Sequence, residues 1–591
     1  MLQVKTFSRV LFLICTLCGV ANSSPVSSSS AVQKNTFEAR TLDPLSGRNG
    51  AVASEVGQCS EVGVTILKEG GNAADAIIAT AFCVGTISAY HSGIGGGGFM
   101  LVRFNTPSGG HDYEMIDFRE TMPAGGNETM YINNTNPTAS TIGGLAVGVP
   151  GEMRGWELLH QRHGQLPWHQ LFEPAIDIAR NGFLVNVDLA NALSSSYEFL
   201  TQDPLWAEVY APNGTLLSLG DTVYRKRYAN TLEKLSIYGA DYFYKGELAV
   251  NTAEAAYSRG GILNTSDLAN YTAIVRKPSN ITYRNHRIFS TVAPSSGSVV
   301  LSALKIFEGY PGNASVADFA VNLTTHRLIQ ATRFGYGQRT NFGDPAFTRN
   351  VSVLEQEFLL ESTAAAARAK INDSQTYNAL YYDTNNYLVV NDSGTSHIAV
   401  VDHTGMAVSL TTTVNLYWGS QIMTTDGIIL NGEINPSRPG QTNSFGFAAS
   451  PANYIAPGKR PQPSIASSIA EDLTTGEFTI ATGSAGGSRI VTATLQNLHW
   501  YLDVGLQPAA AVNLARWHDQ LTNVTYFEIA APQLGMPGFD NSIVHYLAGL
   551  GYNVTYEDES GSTGHIIGRS LDGVFTAASD PRKPAGRGAA Y

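Results

Sequence analysis

Gly394-Thr395-Ser396-His397-Ile398-Ala399-Val400-Val401-Asp402 leaves a polar loop, Asn391-Asp392-Ser393, and enters an apolar run rich in β-branched residues. The run predicts a strand over His397–Val401. His403-Thr404-Gly405 supplies a turn, and Met406–Thr413 returns as the second arm of a hairpin. In that hairpin Thr413 stands opposite Thr395. A threonine hydroxyl is a poor nucleophile without an adjacent base. If the bond between Gly394 and Thr395 were cut, the new α-amine of Thr395 would supply one, with a pKa of about 7.7–8.0. Glycine at 394 suits such a cut, because it leaves the carbonyl unshielded. The same residues also read as a plain strand entry, and local sequence does not choose between the two.

Working outward, a layered pattern begins at Gly50. Ala51–Ser54 reads as a short strand, Ser60–Leu67 as a helix stopped at Gly70-Gly71, and Ala73–Val84 as an apolar helix carrying Asp75. Gly93-Ile94-Gly95-Gly96-Gly97-Gly98 breaks the chain before a hairpin of Phe99–Phe104 and Asp112–Phe118. From about 150 to 390 the sequence reads mostly as helices, among them Glu152–Gln161, Trp168–Ala179, Tyr228–Tyr238 and Ser298–Phe307. Strands resume at His397, with another at Phe478–Thr482 before a helix over Arg489–Leu502. Strands at both ends and helices between predict an α+β layered protein with sheets built from distant segments.

The 591 residues are 43% hydrophobic and 15% charged, the balance of a globular chain with a large core. Net charge is −12, which disfavours nucleic acid as a partner. Residues 1–23 read as a secretory leader: Lys5 and Arg9, an apolar run Val10–Val20, then Ala21-Asn22-Ser23. The run is short of the roughly 20 residues a span needs, leaving an amino-terminal anchor as the minor alternative and no stable membrane span expected. Residues 24–43 are Ser-rich and polar and are expected to be poorly ordered. Asn-x-Ser/Thr sequons recur from Asn127 to Asn553, which agrees with secretion and a glycosylated surface; vacuolar delivery is equally compatible. Beyond the leader only Cys59 and Cys83 remain. They are two buried thiols or one disulfide, and their place in neighbouring helices favours the bridge.

Several motifs are set aside. The glycine run follows a helix and precedes a strand, the wrong context for a nucleotide loop, and reads as close backbone packing. His160, His163 and His169 lack metal-ligand spacing, and no metal or organic cofactor is implied. There is no Gly-x-Ser-x-Gly elbow.

Taken together, these blocks resemble the γ-glutamyltransferase (glutathione hydrolase) family of amino-terminal-nucleophile hydrolases. The matching segments are Gly70–Ala76, Gly93–Phe99, Asp117-Phe118-Arg119-Glu120 and Gly148-Val149-Pro150-Gly151, followed by Thr395-Ser396-His397, Gly483–Ile490 and Ala578–Arg582. The resemblance runs from about residue 44 to Tyr591. It implies a four-layer αββα sandwich and a precursor that cuts itself between Gly394 and Thr395. The products would be a large chain, 44–394, and a small catalytic chain, 395–591, held together as a heterodimer. It implies that Thr395 is the nucleophile, positioned by Thr413, with the N–H groups of Gly486 and Gly487 as the oxyanion hole. By the same resemblance Arg119 holds the substrate α-carboxylate, its alternative being a structural ion pair with Glu120. Asn415, Glu433, Asn435 and Ser464 complete the substrate pocket. Substrates would be γ-glutamyl amides such as glutathione, and acceptors water, amino acids or dipeptides.

The pattern is broken at two places. The family's acidic run becomes Asn431-Gly432-Glu433-Ile434-Asn435-Pro436, and one of two pocket serines becomes Pro463, leaving Ser464. A lost charged hydrogen bond costs on the order of 1.5–3 kcal/mol, so glutamate recognition is expected to be weaker. Two alternatives follow: an amide acylase of drifted specificity, for β-lactam side chains or polyglutamate, and an uncut, non-enzymatic relative.

Overall fold

The apolar run after Thr395 is continuous because both faces of its strand are covered. Ile398 and Val400 point to one core, and Ala399 and Val401 to another, all fully buried. This is the expected signature of a strand inside a sandwich. The computed structural model describes residues 45–591, except 133, 312–320, 384, 386, 388–393, 435–439, 441–447 and 559–560. The leader, the polar segment after it, Asn391 and Asn435 therefore lie outside the described residues.

The strands of the two main sheets are, in chain order, β1 Leu45–Gly47, β2 Gly50–Ser54, β3 Gly97–Asn105, β4 His111–Asp117, β5 Ile274–Arg276, β6 Ser279–Tyr283 and β7 His286–Ser290. They continue as β8 Ser396–Asp402, β9 Ala407–Thr413, β10 Ser468–Asp472, β11 Phe478–Ala485, β12 Thr563–Arg569, β13 Phe575–Ser579 and β14 Arg587–Ala590. One seven-stranded sheet runs β14-β2-β8-β9-β3-β4-β5, and the other β1-β13-β12-β11-β10-β7-β6. Neighbours in both are antiparallel.

Between the sheets lies a core that sets small side chains, Ala51, Ala53, Ala399, Ala407 and Ala481, beside large ones such as Phe289, Phe478 and Phe575. The principal helices are α1 Gly57–Lys68, α2 Ala73–Ile87, α3 Glu152–His163, α4 Glu173–Asn181, α5 Lys226–Tyr238, α6 Gly297–Glu308, α7 Val321–Arg339 and α8 Ile490–Leu502. Ile66, Ile77 and Phe82 of α1 and α2 pack with Val52, Val400 and Val408 on the outer face of the first sheet. Val300 and Leu304 of α6 and Leu495 of α8 pack with Ile480 and Ile566 on the second. The molecule is a four-layer αββα sandwich.

Local chemistry explains α2, whose residues are all buried, Asp75 included. Asn72 caps the helix by accepting from the N–H groups of Ala74 and Asp75, and Asp75 returns the favour to the Asn72 N–H at 3.1 Å. Asp402, at the end of β8, accepts from the Ala73 N–H at 3.0 Å, fixing α2 across the sheet. A Cys59–Cys83 disulfide joins α1 to α2.

The structure departs from the sequence reading in three places. Trp168–Ala179 is not one helix: a 3₁₀ turn over Trp168–Leu171 precedes α4, which has Pro174 in its first turn. The supposedly helical middle contains β5, β6 and β7. His163, set aside above as a metal ligand for its spacing, has an acidic partner from a distant strand: it meets Glu114 of β4 at 2.7 Å, and Arg162 pairs with the same carboxylate. Among the described residues no helix is long and apolar enough to cross a membrane.

Candidate active site

Ser396 pairs with Thr412 across β8 and β9, so Thr395 and Thr413 are opposed at the open end of that hairpin. Gly394 sits there with φ +94°, a left-handed conformation that disfavours a side chain. A Cβ at this position would lie 2.0 Å from the Asn415 carbonyl oxygen, so the chain also packs too tightly for one. The Thr413 hydroxyl donates to the Gly394 carbonyl oxygen and accepts from the Asn415 N–H at 2.7 Å. Ser396 and His397 are wholly enclosed, whereas Thr395 retains 9% exposure.

From Asn415 the contacts continue outward. Its side-chain amide donates to the Gly432 carbonyl at 2.6 Å. The next residue, Glu433, pairs with Arg119 Nη2, and Arg119 also meets Glu120 at 3.3 Å. A continuous path thus joins Gly394, Thr413, Asn415, Gly432-Glu433 and Arg119. Arg119 thus makes the ion pair with Glu120 raised as its alternative role, and a second one with Glu433 that the sequence did not suggest. Its Nε donates to the Pro461 carbonyl at 3.3 Å, which brings the 459–464 segment alongside. Ser464 is buried, and its hydroxyl accepts from Arg339 at 3.2 Å. Burial pushes the Glu120 carboxyl up to about 7 against the pull of Arg119.

Gly486 and Gly487 stand one layer away, where β11 ends. Both have positive φ, +119° and +59°. The sheets touch closely there: a Cβ on Gly483 would lie 2.3 Å from the His397 ring. His397 hydrogen-bonds Thr411 Oγ1 at 2.9 Å. Burial, with His565 nearby, holds its pKa well below the usual histidine value.

Sequence reading missed Asn431. Its side-chain amide donates to the carbonyls of Gly95 and Gly148 at 2.8 and 2.9 Å, and its oxygen accepts from the N–H groups of Gly148 and Glu433. One buried amide therefore ties the glycine run, the Gly148–Gly151 motif and the Glu433 loop. Only its position beside two recognised blocks hinted at this. Among the described residues no cluster of His, Cys, Asp and Glu could hold a metal.

The chain is similar to known proteins over most of its length. A model of the gamma-glutamyltranspeptidase family matches residues 59–590. The chain is 42% identical to the glutathione hydrolase proenzyme of Arthroderma benhamiae, with 97% of each covered. It is 31% identical to the glutathione hydrolase proenzyme of Escherichia coli, with 98% of each covered. The cephalosporin acylase of Bacillus halodurans has the same fold, with a TM-score of 0.78 at 24% identity over 97% of this chain and 99% of that one. The Helicobacter pylori gamma-glutamyltranspeptidase matches with a TM-score of 0.51 at 29% identity, over 55% of this chain and 91% of that chain. With a family match spanning both arms of the sandwich and the hairpin between them, the chain belongs to the gamma-glutamyltranspeptidase family and carries the amino-terminal-nucleophile hydrolase fold.

Proposed function

We propose that this chain is a self-processing glutathione hydrolase and γ-glutamyl transferase of the secretory pathway. The Thr395 hydroxyl attacks the Gly394 carbonyl, the peptide nitrogen leaves as the Thr395 amine, and water hydrolyses the resulting ester. The freed hydroxyl, with its own α-amine as base, then attacks the γ-carbonyl of a γ-glutamyl amide. The amine product leaves, and water or the amine of an amino acid or dipeptide takes the glutamyl group from Thr395.

The observation that carries this reading is the contact path from Gly394 through Thr413, Asn415 and Glu433 to Arg119. At one end a guanidinium suits an α-carboxylate, and at the other a hydroxyl holds the carbonyl that would be cut. In this reading Arg119 gives up one of its internal carboxylate partners for the substrate's, and Glu433 and Asn415 turn to the α-amine. Ser464 lies beside the carboxylate. The N–H groups of Gly486 and Gly487 receive the oxyanion, where one donor is worth about 3–4 kcal/mol of barrier. Export is supported by the leader, the recurrent sequons and a disulfide suited to an oxidising compartment.

The test compares a γ-glutamyl anilide with an anilide of the same chain length lacking the α-amine. The glutamyl substrate is expected to be turned over far faster. Equal rates would reject glutamate recognition and leave the acylase reading prompted by Pro436 and Pro463.

A further inference from the structure

Glu152 opens α3 directly after Gly148-Val149-Pro150-Gly151, and the reaction just described gives it nothing to do. Its side chain is buried. It reaches under the end of β9, where the Thr412 hydroxyl donates to Oε2 at 3.1 Å. Its backbone N–H and that of Gly151 donate to the Gly96 carbonyl at 3.1 and 2.9 Å. Gly96 in turn lies flat on the Thr413 carbonyl, where a Cβ would come within 2.0 Å. Glu152 therefore grips Thr412 through its side chain and backs Thr413 through Gly96.

We propose that Glu152 is a positioning residue: its carboxyl, acting through Thr412, sets the end of β9 on which Thr413 holds the Gly394 carbonyl and, after processing, the Thr395 hydroxyl. The proposal rests on the assignment of Thr395 and Thr413 above. The surroundings favour a neutral acid. Facing the carboxyl are the Thr412 hydroxyl from β9, the Gly93 N–H from the glycine run, the Trp156 indole from α3 itself, Glu120 from the segment after β4 and Tyr228 from α5. None of these is a cation, and Arg119, beyond Glu120, is paired with Glu120 and Glu433. Burial accordingly pushes Glu152 up to about 8. A neutral acid accepts from Thr412 at no electrostatic cost. An ionised one leaves a buried, uncompensated charge, which the chain relieves by moving the strand end.

The test measures kcat and KM for a γ-glutamyl anilide across a pH series bracketing about 8, in the wild type and in the Glu152→Gln, Thr412→Val and Thr395→Ala variants. In the wild type kcat should fall about tenfold per pH unit above that point, with KM little changed. Glu152→Gln, which stays neutral, should match the wild type near pH 7 and lose the alkaline fall. Thr412→Val should be about tenfold slower near neutrality and equally flat, because the hydrogen bond that couples Glu152 to β9 is gone. An alkaline fall that persists in Glu152→Gln, or a Thr412→Val profile indistinguishable from wild type, would overturn the proposal. Thr395→Ala separates the two levels. If it is inert while Glu152→Gln keeps the wild-type profile, only the role of Glu152 fails. If it is active, the site assignment fails and this proposal with it.

Discussion

At the residue scale, the hydroxyl of Thr413 has two partners, the Gly394 carbonyl and the Asn415 N–H. Thr413→Val keeps the shape and removes both hydrogen bonds. Processing should slow by about 10²–10³-fold, the usual effect of losing a donor aimed at a reacting carbonyl. The check is the rate at which the full-length band disappears on a gel. Wild-type processing in this variant would show that the contact is incidental. The opposition of Thr395 and Thr413 was legible in sequence because hairpin geometry follows from turn and alternation, whereas the roles of Thr395, Thr413 and Gly394 came from the family resemblance alone. The pairing of Arg119 with Glu433 was not legible. The two lie 314 positions apart, and only the folded sheets bring them together.

At the element scale, β8 announced itself because both of its faces are buried, giving four apolar residues in a row, Ile398–Val401. β5, β6 and β7 were hidden. They are three to five residues long, punctuated by Arg276, Lys277, Arg284 and Arg287, and lie in a helical stretch where length favours the wrong assignment. The stacking of β8 on β11 was equally invisible, although it sets the site's second layer. It can be tested at Gly483, where the backbone of β11 makes room for the His397 ring. Gly483→Ala should displace that ring and destabilise the fold by about 1–3 kcal/mol, as overpacking does. Urea unfolding is the measurement, and an unchanged midpoint would show that the layers are not in close contact there.

At the scale of the whole molecule, strands from before and after residue 394 are interleaved within one sheet, β14-β2-β8-β9-β3, with β2 lying between β14 and β8 and with β9 paired to β3. A cut at 394 therefore separates chains that remain hydrogen-bonded along several strands. Cys59 and Cys83 lie before residue 394 and pair with each other. The two products should copurify under native conditions and separate on a denaturing gel without reductant. A band that resolves only after reduction would contradict this pairing.

The buried titratable groups set a pH window for stability. The folded protein raises Glu152 to about 8, and Glu120 and Glu355 to about 7, from 4.5. Their stabilising share is whole below 4.5 and is lost as pH rises through these values, at about 1.4 kcal/mol per unit for each group. His518 and His565 are depressed from 6.5 to about 4, so their share is whole above 6.5 and lost as pH falls toward 4. Glu55, depressed to about 2, adds to the loss below 4.5. The two trends oppose each other between 4.5 and 6.5, and stability should decline on both sides of that window. Denaturant unfolding at a series of pH values checks this, and in Glu152→Gln the decline between 6.5 and 8 should be shallower than in the wild type.

The central claim is that one threonine becomes both nucleophile and amino terminus. Amino-terminal sequencing with intact mass of the purified protein tests it most directly. The expected result is a small chain that begins Thr395-Ser396-His397 and ends at Tyr591, absent from Thr395→Ala, which stays full-length and inert. A fully active protein that remains one uncut chain, or one cut at any other bond, would contradict it.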